Sequence, residues 1–202
     1  MALFFITGTD TDIGKTVFTG CFCKFLQDQN RTVVPQKWVQ TGYVEGEEDL
    51  QTHLEYMNKV RAQFESYYEY MMPYRFPLAA SAHLAAENAG EEIDINRLIL
   101  STRKLETHFD AVVVEGLGGI LVPLTQQFTS LDVVSRLSCT TIVVVENKVG
   151  AINHALLTIQ ALAERQVSVL GFVMNHKDSS VNKFVLDDNP VIIEQFSGVR
   201  CL

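Results

Sequence analysis

The stretch Met1-Ala-Leu-Phe-Phe-Ile-Thr-Gly-Thr-Asp-Thr-Asp-Ile-Gly-Lys-Thr16 opens the chain and decides the fold. Residues 3–6 are an apolar run typical of a buried strand, and residues 17–26 have a helical pattern. Between them lies Gly8-x-x-x-x-Gly14-Lys15-Thr16, the phosphate-loop pattern in the strand-to-helix context that it requires. The alternative is an ordinary strand-to-helix turn. The pattern and its context together predict a nucleotide-phosphate site.

Each residue type in this loop suits the binding of an anion. Glycines permit backbone turns and a close approach that a Cβ would block. The loop amides and the N-terminus of the following helix point positive dipoles at a phosphate. Lys15 supplies a charge for the outer phosphates, and Thr16 offers a hydroxyl to Mg²⁺. The candidate nucleotide contacts in this segment are Gly8, Asp12, Ile13, Gly14, Lys15, Thr16 and Val17.

Length and charge narrow the function classes. The chain has 202 residues and a formal net charge of −8, and we expect one P-loop α/β domain over residues 1–202. The sequence has no long basic run, which argues against nucleic acid as a partner. No apolar stretch is long enough to span a bilayer, and the first residues lack the basic region of a signal peptide. We therefore expect a cytoplasmic protein without a membrane partner.

Apolar runs that alternate with helical patterns indicate the fold class. The runs predicted as strands are residues 3–6, 32–35, 111–114, 141–145 and 167–174, and helices are predicted over residues 49–72 and 152–165. This alternation predicts a doubly wound α/β fold of the P-loop NTPase type, with a mainly parallel sheet and helices on both faces. Ligands of such sheets bind beyond the carboxyl ends of the strands. The residues that follow each run are therefore the candidates for function.

Two charged residues follow predicted strands on the same sheet edge as the phosphate loop. Lys37 is a candidate catalytic cation, and the alternative is a solvated surface lysine. Glu115 ends a buried run, which is a usual place for a Mg²⁺ ligand, and the alternative is a carboxylate that caps the next segment. Gly116 and Gly118 would allow the backbone to approach a ligand closely.

Two further segments are candidates for binding. Residues 146–154 form a loop that opens a helix, and its free amides could hold an anion such as a carboxylate. Asn175 follows the run 167–174, and its amide can donate and accept at once, as recognition of a base edge requires. The alternative for Asn175 is a turn residue.

The acidic segment Glu47-Glu48-Asp49 would normally be a solvated helix start. Beside a nucleotide site, one of its three carboxylates could reach Mg²⁺. Neither His83 nor His154 is assigned a catalytic role.

With these residues in view, the chain resembles the dethiobiotin synthetase family from residue 3 to about residue 176. The matching segments are Gly8-Thr-Asp-Thr-Asp-Ile-Gly-Lys-Thr16, Lys37 with Thr41-Gly42, Val114-Glu-Gly-Leu-Gly-Gly119, Lys148-Val-Gly-Ala-Ile-Asn-His154, and Asn175. The resemblance implies a homodimeric P-loop enzyme that takes 7,8-diaminopelargonate, CO₂ and ATP with Mg²⁺. Its products would be dethiobiotin, ADP and phosphate, formed through a carbamate and a carbamic-phosphoric mixed anhydride.

The resemblance also implies a role for each matching residue. The metal ligands would be Thr16, Asp49 and Glu115. Lys15 would hold the phosphates together with Thr16, and Lys37, with Thr11 and Thr41, would face the carbamate and the transferring phosphoryl group; the catalytic residues would be Lys37, Lys15 and Thr11. Adenine would be read by Asn175. The diamine would contact Ser81, and its carboxylate would bind to Gly150, Ala151, Ile152 and Asn153 of the neighbouring subunit, which places the active site at a dimer interface.

The chain departs from the family pattern in two places. The family usually has Lys-Pro where this chain has Lys37-Trp38, and tryptophan leaves the backbone freer than proline does. The second departure is at Gly198-Val-Arg-Cys-Leu202, where this chain stops and the family usually continues through a last strand into Gly-x-Pro, whose backbone helps to hold the base. We therefore expect weakened base selectivity.

Two rival functions use the same scaffold. An amidotransferase-type ligase would need a further glutaminase domain, for which this sequence has no room. A ParA- or MinD-like ATPase switch would carry an additional lysine early in the phosphate loop, where this chain has Thr9, Asp10 and Thr11.

Overall fold

The computed structural model describes residues 1–46 and 48–202, and its strands form two sheets. The strands are β1 (Ala2–Gly8), β2 (Val33–Lys37), β3 (Val39–Thr41), β4 (Tyr74–Phe76), β5 (Ala111–Gly119), β6 (Thr140–Glu146) and β7 (Ser168–Asn175). The main sheet has five parallel strands in the order β2-β5-β1-β6-β7, and β3 pairs with β4 in a small second sheet. The predicted parallel α/β fold is confirmed.

Helices connect and flank the strands. They are α1 (Lys15–Asp28), α2 (Asp49–Tyr56), α3 (Tyr68–Met71), α4 (Ala82–Asn88), α5 (Ile95–Glu106), α6 (Ser130–Val134), α7 (Ala151–Glu164) and α8 (Lys183–Ser197), with a 3₁₀ helix over Arg61–Tyr67. Among the described residues, no helix is both long enough and apolar enough to cross a membrane.

The central strands are buried along most of their length. Val112, Val113 and Val114 of β5 are at most 1 % exposed, and residues 142–145 of β6 are equally enclosed. A parallel sheet covered on both faces needs such continuous apolar strands rather than alternating ones. The core therefore holds the carboxyl ends of these strands, and the polar residues that follow them, in fixed positions.

The single helix predicted over residues 49–72 is wrong. The first helix of this segment, α2, ends at Tyr56, because Asn58 takes a left-handed conformation with φ of 54°. The Asn58 amide donates to the carbonyl of Glu55, and the amide of Lys59 donates to the carbonyl of Leu54. This pair of hydrogen bonds is a Schellman ending, in which asparagine can take the place of the usual glycine. The apolar periodicity of the sequence continues past Asn58, which is why it predicted one long helix where the chain ends α2.

Candidate functional site

The phosphate loop turns sharply where β1 meets α1. Gly14 caps α1 with φ of 96°, and a Cβ at this position would lie 2.3 Å from the Nδ2 atom of Asn175. A side chain is therefore excluded both by the backbone conformation and by the space. The helix starts at Lys15, so its first backbone amides are directed towards the loop, as anion binding requires.

Four side chains from separate elements meet beside this loop. The Lys37 ammonium lies 2.6 Å from Oε1 of Glu115 and 2.7 Å from Oδ2 of Asp49. The Thr16 hydroxyl lies 3.1 Å from Oε1 of Glu115 and 3.3 Å from Oδ1 of Asp49. The parallel register pairs Lys37 with Glu115 across β2 and β5, which explains how strand ends that are distant in sequence come together. We call Thr16, Lys37, Asp49 and Glu115 the ion cluster.

Burial and charge oppose each other within the ion cluster. Burial alone would lower the pKa of Lys37, but Glu115 and Asp49 outweigh it and hold the pKa above its ordinary value. Burial alone would raise the pKa of Glu115, but Lys37 and the hydrogen bond from His53 bring it down to about 2. Both groups are therefore charged at neutral pH. Such a buried pair requires each partner, since removal of one leaves the other unpaired.

The buried positive charge of Lys15 is less well compensated by nearby negative charges than that of Lys37. The Lys15 ammonium donates to the backbone carbonyl of Asp10 at 2.7 Å. Burial, and then the charge of Lys37, lower its pKa from 10.5 to about 8, although Glu115 and Asp49 pull in the opposite direction. The site thus holds a cation that it does not fully stabilise, and a bound phosphate would supply the missing negative charge.

A cavity of about 420 Å³ opens above the ion cluster. Most of the predicted site residues line it: Thr11, Asp12, Gly14, Lys15, Thr16, Lys37, Thr41, Asp49, Ser81, Glu115 and Gly118. The structure thus brings the predicted phosphate, metal and catalytic residues to one place.

The other predicted residues lie outside the lining of this cavity. Gly8, Ile13 and Gly116 are buried, and Val17 is exposed in the first turn of α1. Residues 150–153 begin α7, where Gly150 and Asn153 are exposed. The predicted anion site at residues 150–153 and the cavity therefore do not meet within one chain.

Asn175 lies beside the loop rather than in the cavity lining. Its side-chain amide nitrogen donates to the carbonyl of Ile13 at 2.8 Å, and Lys177 donates to the carbonyl of Asp12 at 2.7 Å. The segment after β7 thus supports the backbone of the phosphate loop. The contact of Asn175 with a base stays a prediction.

The donor set of the ion cluster fits Mg²⁺. Thr16, Asp49 and Glu115 present hydroxyl and carboxylate oxygens, and Mg²⁺ prefers oxygen ligands, typically one or two carboxylates plus phosphate and water. The described residues contain no group of three or more His, Cys, Asp or Glu side chains suited to holding a metal alone. Of the two described residues of the acidic segment, Asp49 belongs to the ion cluster, whereas Glu48 is buried and accepts from the amide of Gly46. Glu47 lies outside the described residues.

The backbone after Lys37 is not freer, contrary to the expectation from Lys37-Trp38. The Trp38 side chain is fully buried, and its ring centroid lies 5.0 Å from that of Phe5. Its indole N–H donates to Thr102 at 3.1 Å, and the Thr102 hydroxyl lies 2.8 Å from Oε1 of Gln36. Packing and hydrogen bonds thus fix the residues on both sides of Lys37.

Sequence reasoning missed His53. This residue is fully buried on α2, and its Nε2 atom lies 2.6 Å from Oε2 of Glu115. The available signal was the spacing from Asp49, since residues four apart lie on the same face of a helix. A predicted metal ligand at Asp49 would have directed attention to position 53.

A second cavity, of about 750 Å³, lies apart from the phosphate loop. Its lining includes Glu87, Glu91, Glu92 and Asp94, together with Arg136 and His83. This acidic lining does not suit a phosphate, so the smaller cavity above the ion cluster is the candidate site.

Comparisons of sequence support a ligase family. The chain matches the family described as "AAA domain" over residues 3–202. It is 37 % identical to the ATP-dependent dethiobiotin synthetase of Lysinibacillus sphaericus, over 90 % of this chain and 78 % of that protein. It is 38 % identical to an ATP-dependent dethiobiotin synthetase of Pasteurella multocida, over 86 % of this chain and 81 % of that protein.

Comparisons of structure identify the fold. A chain of the MinC:MinD cell division complex from Aquifex aeolicus superposes with a TM-score of 0.61 at 16 % identity, covering 100 % of this chain and 79 % of that chain. A ParA family ATPase from Chlorobium tepidum gives a TM-score of 0.60 at 12 % identity, covering 100 % of this chain and 81 % of that chain. At these identities the likeness concerns the fold alone, and it confirms the P-loop NTPase type.

Replacement of Lys15 should stabilise the ligand-free protein while it removes phosphate binding. We expect Lys15→Met to raise the free energy of unfolding at pH 7 by about 1–2 kcal/mol, because a poorly compensated buried charge is removed. The pKa of Lys15 is about 8 in the folded chain and 10.5 when unfolded. The destabilisation that the Lys15 charge causes in the parent protein is therefore complete below pH 8 and shrinks as the pH rises towards 10.5. Urea unfolding at pH 7 and pH 9.5 measures both values.

Lys24→Met on the same helix is the matched control, since Lys24 forms a partly exposed ion pair with Asp28. A Lys15→Met protein that is less stable than the parent at pH 7, or whose gain is equal at both pH values, would contradict this account of Lys15.

The contact between Trp38 and Thr102 should appear as an energetic coupling. Trp38→Phe and Thr102→Val each remove one partner of the indole hydrogen bond. Because each single variant already loses this bond, the loss in free energy of unfolding of the double variant should be smaller than the sum of the two single losses by about 0.5–1.5 kcal/mol. Urea unfolding of the four proteins gives this value. Additive losses would show that the hydrogen bond does not hold Trp38 in place.

Proposed function

The chain belongs to the ATP-dependent dethiobiotin synthetases, a family of ligases that form C–N bonds, and from this premise we propose that it converts 7,8-diaminopelargonate, CO₂ and ATP into dethiobiotin, ADP and phosphate. One observation carries the proposal. Two lysines, Lys15 and Lys37, and three oxygen-bearing side chains, Thr16, Asp49 and Glu115, converge on one cavity at the carboxyl ends of parallel strands. We further propose that the reaction takes place in the cytoplasm.

The proposed reaction has three steps. One amine of the diamine attacks CO₂ through its nitrogen lone pair and loses a proton, which gives a carbamate. A carbamate oxygen then attacks the γ-phosphorus of ATP and displaces ADP. The second amine attacks the carbamoyl carbon, loses a proton and expels phosphate, which closes the cyclic urea.

This chemistry requires stabilisation of negative charge rather than a protein nucleophile. The carbamate and the γ-phosphate are both anionic, and charge develops on the transferring oxygens, so preorganised cations are the main contribution that a protein can make. Lys15 begins α1 beside the loop amides, and we propose that its ammonium contacts the outer phosphates. Mg²⁺ bound to Thr16, Asp49 and Glu115 would supply further neutralisation of the ATP phosphates.

Lys37 has two sets of partners in this proposal. Without ligands, its ammonium holds the carboxylates of Asp49 and Glu115 together. When the anionic ligands are present, we propose that the ammonium turns to the carbamate and γ-phosphoryl oxygens. Thr11 and Thr41, which also line the cavity, would add hydroxyl donors to the same anions.

The diamine would bind between two subunits of a homodimer. Thr41 and Ser81 line the cavity of one subunit. Residues 150–153 of the partner subunit would hold the carboxylate of the diamine at the start of α7. The exposure of Gly150 and Asn153 outside the cavity of their own chain supports this arrangement. Val149, which precedes them, is 81 % exposed, as a residue that meets a second subunit can be.

Asn175 would read adenine with the part of its amide that the phosphate loop does not occupy. One side-chain N–H donates to Ile13, which leaves a second N–H and the carbonyl oxygen for the base edge. The backbone of Gly8, Gly116 and Gly118 would lie close to the nucleotide.

The direct test of the function is ATP hydrolysis measured with and without 7,8-diaminopelargonate and bicarbonate. We expect release of ADP to depend on the diamine, with a product of the mass of dethiobiotin formed in equal amount. ATP turnover that ignores the diamine would contradict the proposal, because the P-loop scaffold would then serve another substrate.

The role of Lys37 predicts a severe loss of turnover without loss of fold. Lys37→Gln keeps a hydrogen-bond donor for Glu115 but removes the charge, and we expect turnover to fall about 10²–10³-fold. Lys24→Gln on the surface of α1 is the matched control and should leave turnover unchanged. Circular dichroism verifies that both variants are folded. Near-normal turnover of a folded Lys37→Gln protein would refute the assigned role.

A further inference from the structure

The two oxygens of the Glu115 carboxylate face different environments. Its Oε1 atom lies 2.6 Å from the Lys37 ammonium and 3.1 Å from the Thr16 hydroxyl, on the side of the cavity. The other oxygen, Oε2, lies 2.6 Å from Nε2 of His53 in the protein interior. One oxygen is therefore presented to the ligand site and the other is held from behind.

The hydrogen bond to Oε2 has a defined direction. An ionised carboxylate can only accept, so the Nε2 atom of His53 carries the proton and donates. Among the described residues, no side chain or backbone group pairs with Nδ1 of His53, although this atom is fully buried. Within the described part of the chain, the imidazole ring of His53 therefore makes one hydrogen bond, through Nε2 to Glu115, and its Nδ1 atom makes none.

A single helix carries both His53 and a predicted metal ligand. Asp49 is the first residue of α2, and His53 lies four positions later on the same face. Helix α2 thus supplies Asp49 to the ion cluster. Through His53 it also contacts Oε2 of Glu115, the carboxylate oxygen that does not contact Lys37 or Thr16.

We propose that His53 is a positioning residue for the metal site: it fixes the rotamer of Glu115 from the interior, so that Oε1 remains directed at Thr16 and a bound Mg²⁺ when Lys37 leaves for the reacting anions. This inference rests on the metal site of the proposed function and extends it to a residue that touches neither metal nor substrate. Hydrogen bonds from the protein to a ligating carboxylate commonly contribute 10–100-fold to metal affinity or activity.

The test measures nucleotide binding rather than turnover. Isothermal titration calorimetry gives the affinity for ADP with excess Mg²⁺ and with EDTA, and the ratio of the two values isolates the contribution of the metal. His53→Gln places an amide nitrogen near the position of Nε2, whereas His53→Asn is one bond shorter and does not reach Glu115. Glu115→Gln serves as the reference that removes the metal ligand itself.

We expect His53→Asn to lower this ratio about 10-fold or more, and His53→Gln to restore it to within about 3-fold of the parent. The affinity in EDTA should stay constant, and thermal unfolding verifies that each variant is folded. A merely structural role would lower the melting temperature of both His53 variants and leave the ratio unchanged, which would overturn the inference.

The Glu115→Gln reference separates the two possible failures. If Glu115→Gln lowers the ratio and His53→Asn does not, the metal site stands and the role of His53 is refuted. If Glu115→Gln leaves the ratio unchanged, Glu115 is not a metal ligand, and both the metal site and the inference fall.

Discussion

The buried carboxylate of Glu115 is the constraint on which the rest of the site depends. An ionised group that is 1 % exposed and directly follows the apolar residues 111–114 of β5 carries a desolvation cost of several kcal/mol unless other groups compensate it. The chain compensates it with Lys37 from the neighbouring strand, His53 from α2 and the Thr16 hydroxyl from α1. Three separate elements are thereby held in register around one side chain.

The same arrangement explains how an acidic chain can bind phosphates. The net charge is −8, yet Lys15 and Lys37 are both buried beside the loop amides. Lys37 is stabilised by carboxylates, whereas Lys15 is held in a site that lowers its pKa to about 8. Binding sites commonly carry such a cost, because a cation that is fully paired within the protein has little to offer a ligand. The poor compensation of Lys15 is therefore consistent with a role in binding.

Sequence could predict the features that are set by local spacing. The phosphate loop depends on residues 8–16 alone. Lys37 and Glu115 follow apolar runs that predict parallel strands, and the carboxyl ends of parallel strands share one edge of the sheet. The Schellman ending at Asn58 was hidden because the apolar periodicity continues through it. From the sequence, Trp38 in place of proline predicted a freer backbone after Lys37. This prediction was wrong because only the folded chain shows that the indole N–H of Trp38 donates to Thr102.

His53 could not be identified from composition or motif, because its role depends on which face of α2 meets β5. The anion site predicted at residues 150–153 lies outside the cavity of its own chain, so a test of it requires a second copy. The features that could not be predicted from the sequence thus depend on contacts between elements or between chains rather than on residue type.

The most direct test of the ion cluster is a crystal structure with Mg²⁺, a non-hydrolysable ATP analogue and 7,8-diaminopelargonate. The decisive quantity is the distance from the Lys37 ammonium to Oε1 of Glu115, which is 2.6 Å without ligands. We expect this distance to exceed about 3.5 Å, beyond hydrogen bonding, once the ligands are bound. We also expect a metal about 2.0–2.1 Å from the Thr16 hydroxyl oxygen. Retention of the ion pair, with the metal bound away from Thr16, Asp49 and Glu115, would contradict the account.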